Sequence, residues 1–414
     1  MFKKNKNGKN TLLLLNSENP ALSFFVRAVL LSAIVYILVG LIFRKGDLTA
    51  IFFTGCGDFF MDFFNSVRDA AQGTAVYTER HVIYPPLANL IFLVISFFTP
   101  TAYNNTDFSQ RYTWTEYPAA IAVAVVWCVI CLAVFVVIFT FALKKLSAAK
   151  RILISLLMFF SVPILYLLER GNIIILTLFA LAIYAFTYNS ESKIKRELGL
   201  IALAFAFAIK LYPVVFGWFL ISDKRIKEAI RCAIYGFALL ILPSFFFGGF
   251  SCFHQIFLNI FSFSSGTGNV LSVILGYIGV PPLGQKFVTI LIYAWVFICG
   301  ICFAVSPFIR KDQPYKTWAL GLVTILCVPS LTSIYSWAFM LIPMIILFNK
   351  TERSKKDMTY CIMMTVPFIF MPFRYSYHVS GNTALVYVAT AVFSIWCVVD
   401  MIKDTVKCIK ARRV

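Results

Sequence analysis

Acidic side chains are scarce in this sequence. It has 18 Asp and Glu residues against 37 Lys and Arg residues in 414 positions. Charged residues make up only 13% of the chain, whereas a soluble domain carries about 25%. Hydrophobic residues account for 60%. This composition excludes an ordinary soluble domain and predicts an all-α polytopic membrane protein, since the chain is long enough for about ten helical spans.

We expect neither a signal peptide nor nucleic-acid binding from this sequence. The first apolar run, residues 21–43, is too long for the h-region of a signal peptide, and no small-residue cleavage site follows it. The net charge of +19 is spread over short basic clusters between apolar runs, such as KIKRE and DKRIKEAIR. This positive-inside pattern predicts a multi-pass protein of the cell membrane with cytoplasmic N- and C-termini and no nucleic-acid partner.

Three further motifs are missing. The eleven cysteines form no disulfide or zinc framework, because most lie inside apolar runs, as Cys128 and Cys131 do. We interpret them as buried apolar side chains. No glycine-rich phosphate loop is present, which argues against a nucleotide-sugar donor. No internal repeat is detectable either.

The apolar runs predict about 11–13 transmembrane helices. The candidate spans are residues 22–43, 83–99, 119–143, 152–168, 172–188, 198–222, 232–249, 287–309, 318–329, 335–349, 358–372 and 383–402. We expect basic tails at 1–20 and 403–414, one membrane domain at 21–402, and a long first outer loop at 44–82.

Two segments leave the number of crossings open. An additional crossing or a shallow helix is required between residues 83 and 151 if the cluster KKLSAAKR is cytoplasmic. The segment 198–222 is either one kinked span or two short half-helices that meet at KLYP, because Pro213 removes a helical hydrogen bond.

Three of the few acids lie in one short stretch of the first outer loop, GCGDFFMDFFNSVRDAAQG. Its phenylalanines predict a helix in the membrane interface with its apolar side towards lipid. Asp58 and Asp62 are spaced i, i+4 and share a helix face, and Asp69 falls near that face. Repulsion between the two carboxylates raises one pKa, which suits a general base, and a divalent cation would also relieve it. The alternative is that the acids are only the solvated side of an amphipathic helix.

Other polar residues are unusual because apolar runs surround them. Glu169, Arg170 and Asn172 lie in the tight connection YLLERGNIIIL, where an arginine can present its planar donors to a phosphate. Lys210 lies inside FAFAIKLYPVVF, where a charge is costly and indicates function unless the side chain reaches out to the interface.

In this order, the motifs DFFMDFFNSV, VYTERHVIYPPL, ERGN, GLIALAFAFAIKLYPVVF and SIYSW resemble glycosyltransferase family 87 (DUF2029), a group of membrane GT-C transferases. They are more distantly similar to the catalytic subunit of GPI mannosyltransferase I. The resemblance covers roughly residues 20–350. It implies a GT-C-like helical bundle, a polyprenyl-phosphate-linked hexose donor, a glycan or glycolipid acceptor, and an active site on the outer membrane face with an acidic base in the first outer loop.

Carried onto this chain, the resemblance assigns the base to Asp58 or Asp62 and the donor phosphate to Lys210, Arg170 and Arg80. The other candidate site residues are Asp69, Glu79, His81, Tyr84, Glu169, Asn172, Tyr212, Asn269, Trp337 and His378. The spacing of the two acids leaves open which one matches the family base. The histidine that usually follows the Ser-Trp element is missing after Trp337.

A transporter or flippase of lipid-linked sugars is the second interpretation. A broken helix at KLYP fits it, because transporters place broken helices near the membrane midplane. The lack of repeats and the one-sided acidic cluster argue against it. We therefore expect an inverting hexosyltransferase with a mannose-like sugar, membrane lipid around it, and no cofactor other than a divalent cation if Asp58 and Asp62 bind one.

Overall fold

The chain is predominantly helical in the part that the computed structural model describes, which comprises residues 2–4, 10–12, 19–48, 59–99, 113–265, 275, 279–350, 354–374 and 380–412. Two short antiparallel strands, Phe2–Lys4 and Asn10–Leu12, lie in the N-terminal tail. All other regular structure in these ranges is helical. The predicted all-α polytopic class is confirmed.

Seventeen α-helices occur in the described ranges. In chain order they are α1 Pro20–Phe43, α2 Met61–Ala71, α3 Ala75–Thr78, α4 Pro86–Ser96, α5 Pro118–Ala142, α6 Ala148–Phe159, α7 Val162–Arg170, α8 Ile174–Thr187, α9 Lys193–Ile209, α10 Trp218–Ser222, α11 Ile226–Ser244, α12 Ser251–Ser265, α13 Pro282–Ile309, α14 Pro314–Leu326, α15 Leu341–Phe348, α16 Lys355–Thr365 and α17 Gly381–Arg412. Short 3-10 helices are Thr113–Glu116, Tyr212–Gly217, Phe245–Phe247, Tyr335–Met340 and Val366–Phe368.

Few of these helices are long enough to cross a bilayer alone. Five described segments are long and apolar enough to do so: Pro20–Phe43, Pro118–Ala142, Ile226–Phe247, Pro282–Ile309 and Gly381–Ala411. The pair α6 and α7 would make a sixth span, bent by 58° at its break. Four shorter apolar helical segments are Pro86–Ser96, Ile174–Thr187, Tyr212–Ser222 and Tyr335–Phe348. The number of 11–13 crossings requires short segments to cross as well and stays a prediction.

The chain divides into two compact units. The first unit comprises Met1–Phe52, Phe135–Tyr166 and Val270–Val414, and the second comprises Phe53–Val134 and Leu167–Asn269. Each unit gathers segments that are far apart in sequence.

A buried charge network holds helices of the first unit together. Asp400 on α17 accepts from Arg310 Nη2 at 3.0 Å and from Lys316 Nζ at 2.9 Å, and these three side chains are at most 2% exposed. Arg310 Nε also donates to Asp404 at 2.9 Å, and Lys356 donates to Asp400 at 2.5 Å. Because an unpaired buried charge is strongly destabilising, the network fixes the ends of α13, α14 and α16 against α17.

The core of the second unit is built around α2. Phe63, Phe64 and Val67 are fully buried and pack against α4 and the Trp114 indole, whose ring lies 4.7 Å from that of Phe64. The sequence predicts that this apolar face rests on lipid. In the structure it packs on protein instead, because phenylalanine side chains find equally apolar and better-packed neighbours in α4.

The segment 198–222 is broken at KLYP into two short limbs. Helix α9 ends at Ile209, and a 3-10 helix starts at Tyr212 with Pro213 in its first turn. Arg225, just after α10, donates Nη1 to the Tyr188 carbonyl at 2.6 Å. Arg196 in the first turn of α9 also pairs with Glu228 at 3.5 Å. The chain has therefore returned to the start of α9, which confirms the alternative of two half-helices.

Candidate functional site

Asp62 is the centre of a polar cluster in the second unit. It lies in the first turn of α2, and its side chain is 21% exposed. Arg170 Nη2 donates to Oδ1 and Asn172 Nδ2 donates to Oδ2 at 2.8 Å. Two predicted site residues more than 100 positions away thus occupy both oxygens of this carboxylate.

The ERGN connection presents Arg170 and Asn172 to Asp62. Helix α7 ends at Arg170, and Gly171 takes a left-handed conformation with φ +62°. Asn172 then accepts from the Ile174 backbone N–H through Oδ1 at 3.0 Å, at the start of α8. The Phe60 N–H donates to the Glu169 carbonyl at 2.7 Å, which ties this connection to the beginning of α2.

We expect Gly171→Ala to lower the free energy of unfolding by about 1–3 kcal/mol. The backbone at this position favours glycine, and an added Cβ would lie 2.6 Å from the Phe63 Cβ. Thermal unfolding in detergent measures the effect. Gly300→Ala in α13 is the matched control, because among the described residues no atom beyond its own stretch of helix lies within 4 Å of its added Cβ, and alanine is the better helix former. Equal melting temperatures for the two variants would contradict the steric argument.

Lys210 reaches the same cluster from the end of α9. Its Nζ lies 4.1 Å from the centroid of the Tyr84 ring, a cation–π contact. Its charge is also close enough to interact with that of Asp62. Lys210 is therefore directed at the polar cluster, which favours the functional interpretation over a side chain that reaches to the membrane interface.

A hydrogen-bonded network positions Tyr84 beneath Lys210. The Tyr77 hydroxyl donates to the Tyr84 carbonyl at 3.1 Å, and Asn89 Nδ2 donates to the Tyr77 hydroxyl at 2.8 Å. Asn89 is fully buried in α4. Asn259 on α12 donates Nδ2 to the backbone carbonyls of Tyr77 and Val82 at 2.9 and 3.1 Å. The loop before α4 is thus fixed from two sides.

The charges in this cluster suit a phosphate. Arg170 and Lys210 bring two cations to the neighbourhood of the Asp62 carboxylate. Arg170 offers a planar set of donors and Lys210 a compact ammonium group. Charge-assisted hydrogen bonds from such groups to phosphate oxygens are short and strong.

Asp69 lies further along α2 and is paired with arginine. The residue is 6% exposed, and Arg68 Nη2 lies 3.3 Å from its Oδ1. Burial raises the pKa of Asp69, and the charges of Arg68 and Arg80 oppose that rise. Asp69 is therefore not part of a solvated face, whereas Glu79 and His81 nearby are exposed.

The remaining candidates are dispersed. Asp58, Asn269 and His378 lie outside the described residues. Tyr212 begins the 3-10 helix after Lys210, and Glu169 is 6% exposed at the end of α7. Trp337 belongs to the first unit, within which its indole is fully buried and donates to Thr390 Oγ1 at 3.2 Å.

The structure adds residues that the sequence did not single out. Asn65 follows Asp62 by three positions and lies on the same face of α2. This i, i+3 spacing is the feature of the sequence that could have identified it as a site residue. Tyr77 and Asn89 gave no signal, because isolated polar residues at helix starts are common.

Within the described ranges, no group of three or more His, Cys, Asp or Glu side chains could hold a metal ion. A cation bound by Asp58 and Asp62 stays a prediction.

Comparison with known proteins identifies the family. No curated protein matches the sequence. The profile of glycosyltransferase family 87 matches residues 82–333, more than half of the 414 positions. The matched part includes Arg170, Asn172 and Lys210 of the polar cluster and begins after Asp62. The chain therefore belongs to glycosyltransferase family 87 and is a membrane glycosyltransferase.

Proposed function

We propose that the protein transfers a mannose-like hexose from a polyprenyl-phosphate donor to a hydroxyl group of a glycan or glycolipid acceptor on the outer face of the cell membrane, with inversion at the anomeric carbon. The convergence of Arg170, Asn172 and Lys210 on Asp62 carries this proposal. These residues come from three segments of the chain and meet where α7, α9 and α2 end or begin.

The phosphate of the donor would lie between Arg170 and Lys210. Its negative charge increases as the bond to the sugar breaks, so the two cations bind the transition state more tightly than the ground state. Asn172 would keep Arg170 oriented by sharing Asp62 with it.

An apolar groove lined by residues that precede and follow Lys210 in the sequence supports a lipid-linked donor. The groove has a volume of about 360 Å³ and is lined by α9, the 3-10 helix, α10 and α11. Representative lining residues are Phe207, Val214, Trp218, Ala233 and Phe237. Val214 follows Lys210 by four positions and Phe207 precedes it by three. A polyprenyl chain in this groove would keep its phosphate within reach of the lysine.

The acceptor hydroxyl would attack the anomeric carbon from the side opposite the phosphate. A carboxylate takes the hydroxyl proton, the new carbon–oxygen bond forms, and polyprenyl phosphate leaves with the electron pair of the broken bond. Both oxygens of Asp62 already accept hydrogen bonds from the phosphate-binding side. Helix α2 begins at Met61, after Phe60 in a left-handed conformation, so the helix expected to place Asp58 and Asp62 on one face does not extend back from Asp62. We therefore assign the base to Asp58, the other acid of the pair, and assign Asp62 to positioning Arg170.

The distribution of charge favours the outer membrane face. The basic clusters KIKRE and DKRIKEAIR meet at one end of the second unit, where Arg231 pairs with Glu197 at 2.9 Å. Arg170 and Lys210 lie at the other ends of α8 and α9, about 20–25 Å away along these helices. Since basic clusters stay in the cytoplasm, the polar cluster would face outward.

We expect a cysteine at His81 to react with an impermeant thiol reagent in intact cells, and a cysteine at Glu191 to react only after permeabilisation. Both positions are exposed in the second unit. The variants are made in a background without other accessible cysteines. Asn269 and His378 are predicted to be external as well and provide independent positions. The reverse labelling pattern would contradict an outward-facing site.

Transfer is tested with purified protein in lipid nanodiscs. The protein is supplied with polyprenyl-phosphate mannose, glucose or galactose and a panel of glycan and glycolipid acceptors, with and without a chelator. Formation of a glycosylated acceptor and polyprenyl phosphate supports the proposal.

The break at KLYP is the observation that favours the second candidate function, a transporter. Movement of labelled donor across proteoliposomes without transfer would support that function.

A further inference from the structure

The polar face of α2 continues beyond Asp62. Asn65 follows Asp62 by three positions and Asp69 follows Asn65 by four, so the three side chains lie on one side of the helix. The opposite side carries Phe63, Phe64 and the other side chains of the core. The helix therefore separates a packed face from a continuous row of hydrogen-bonding groups.

Asn65 has an unused acceptor on this face. Its Oδ1 is buried, and within the described part of the chain no donor lies within hydrogen-bonding distance of it. An amide oxygen has two lone pairs and accepts up to two hydrogen bonds. A buried acceptor without a donor is costly, so a ligand group that donates a hydrogen bond to this oxygen would be stabilised here.

The spacing along α2 matches a substrate with a sugar attached directly to a phosphate. Asn65 lies about 4.5 Å further along the helix axis than Asp62, which contacts the proposed phosphate-binding arginine. Asp69 lies one turn beyond Asn65, where it is paired with Arg68. A hexose joined to a phosphate at Arg170 and Lys210 therefore has its ring hydroxyls beside Asn65 if the ring extends along α2.

We infer that Asn65 forms a sugar subsite in which its carboxamide oxygen accepts a hydrogen bond from a ring hydroxyl of the transferred hexose, with the Arg68–Asp69 pair closing the far end. The inference rests on the proposed function, because it places the phosphate at Arg170 and Lys210. It adds a residue that determines which sugar the enzyme selects.

Donors that lack one hydroxyl test the subsite. The probes are polyprenyl-phosphate mannose, or the hexose donor that the protein uses best, and its single-deoxy analogues. With one analogue, wild-type kcat/KM should fall roughly 10- to 100-fold, because the Asn65 oxygen loses its donor. Asn65→Leu should lose a similar factor with the parent donor and show no further loss with that analogue.

Matched variants separate this role from a structural one. Asn65→Asp keeps an acceptor oxygen at the same place and should retain the discrimination between parent and analogue. Ser66→Ala changes a neighbour whose hydroxyl donates to the Asp62 backbone carbonyl at 2.7 Å, and it should leave the selectivity unchanged. Two results for Asn65→Leu would overturn the inference. One is wild-type kcat/KM with the parent donor. The other is an equal loss of kcat/KM with the parent donor and every analogue, so that the variant still discriminates between them as the wild type does.

A binding measurement decides the question even if no transfer is detected. The thermal shift of the protein is compared for polyprenyl phosphate and polyprenyl-phosphate mannose. A larger shift with the sugar-bearing lipid, lost in Asn65→Leu and retained in Asn65→Asp, supports the subsite. Equal shifts in the wild type, or an unchanged difference in Asn65→Leu, exclude it. Absence of transfer with a sugar-dependent shift would refute the proposed reaction and leave the subsite standing.

Discussion

Lys210→Met is expected to reduce kcat by roughly 10²–10³-fold while the protein remains folded. Methionine keeps most of the apolar stem but removes the charge that steadies the leaving phosphate, and the loss of one such group typically has an effect of this size. Lys210→Arg restores a cation with a wider head group, so partial activity is expected. Transfer from the polyprenyl-phosphate donor and thermal unfolding are measured on the same preparations.

Lys286 provides the matched control for this prediction. It lies near the N-terminal end of an apolar helix, α13, and its side chain is exposed. Lys286→Met should retain near wild-type transfer. Full activity in Lys210→Met would show that the lysine only reaches towards the membrane interface and would remove it from the proposed phosphate site.

Asp58→Asn should abolish most of the transfer, with a loss of roughly 10²–10⁴-fold in kcat, because general base catalysis contributes about this factor. Asparagine has nearly the same size but accepts no proton at neutral pH. The activity of the wild type should decline as pH falls through the pKa of this base, since the protonated carboxyl cannot take the hydroxyl proton. Donor binding to the variant should persist, which a thermal shift with polyprenyl-phosphate mannose measures.

Asp62→Asn should behave differently, because Asp62 positions Arg170 in our proposal. We expect a rise in the donor KM of roughly tenfold and little change in the pH dependence. Combined with Arg170→Leu, its effect should be less than additive, since both changes disrupt one ion pair. Wild-type turnover in both Asp58→Asn and Asp62→Asn would leave these acids without a catalytic role.

Much of the polar cluster could be predicted from sequence because the membrane makes exceptions visible. Arg170, Asn172 and Lys210 interrupt apolar runs, and charges in such positions are costly enough to indicate function. The same argument identified Asp62 by its phenylalanine neighbours. The contacts of Lys210 with Tyr84 and of Arg170 with Asp62 could not be predicted, because they join segments far apart in sequence.

Other features carry no comparable signal. Lipid tails and protein cores are similarly apolar, so the pattern of α2 predicted an apolar face without specifying that Phe63 and Phe64 pack on α4. Arg310 and Lys316 resemble ordinary loop charges, and their partner Asp400 lies 90 and 84 positions away. The hydropathy pattern locates helices, but tertiary packing decides which of them break and which charges are buried.

The network around Asp400 has a consequence for biogenesis. Arg310 and Lys316 leave the ribosome well before Asp400, which follows them by 90 and 84 positions. Until α17 is synthesised, these two cations lack the carboxylate that neutralises them in the folded protein. The ends of α13 and α14 therefore settle only at a late stage of assembly, and a chain halted before Asp400 would display uncompensated charges that quality-control proteases can recognise.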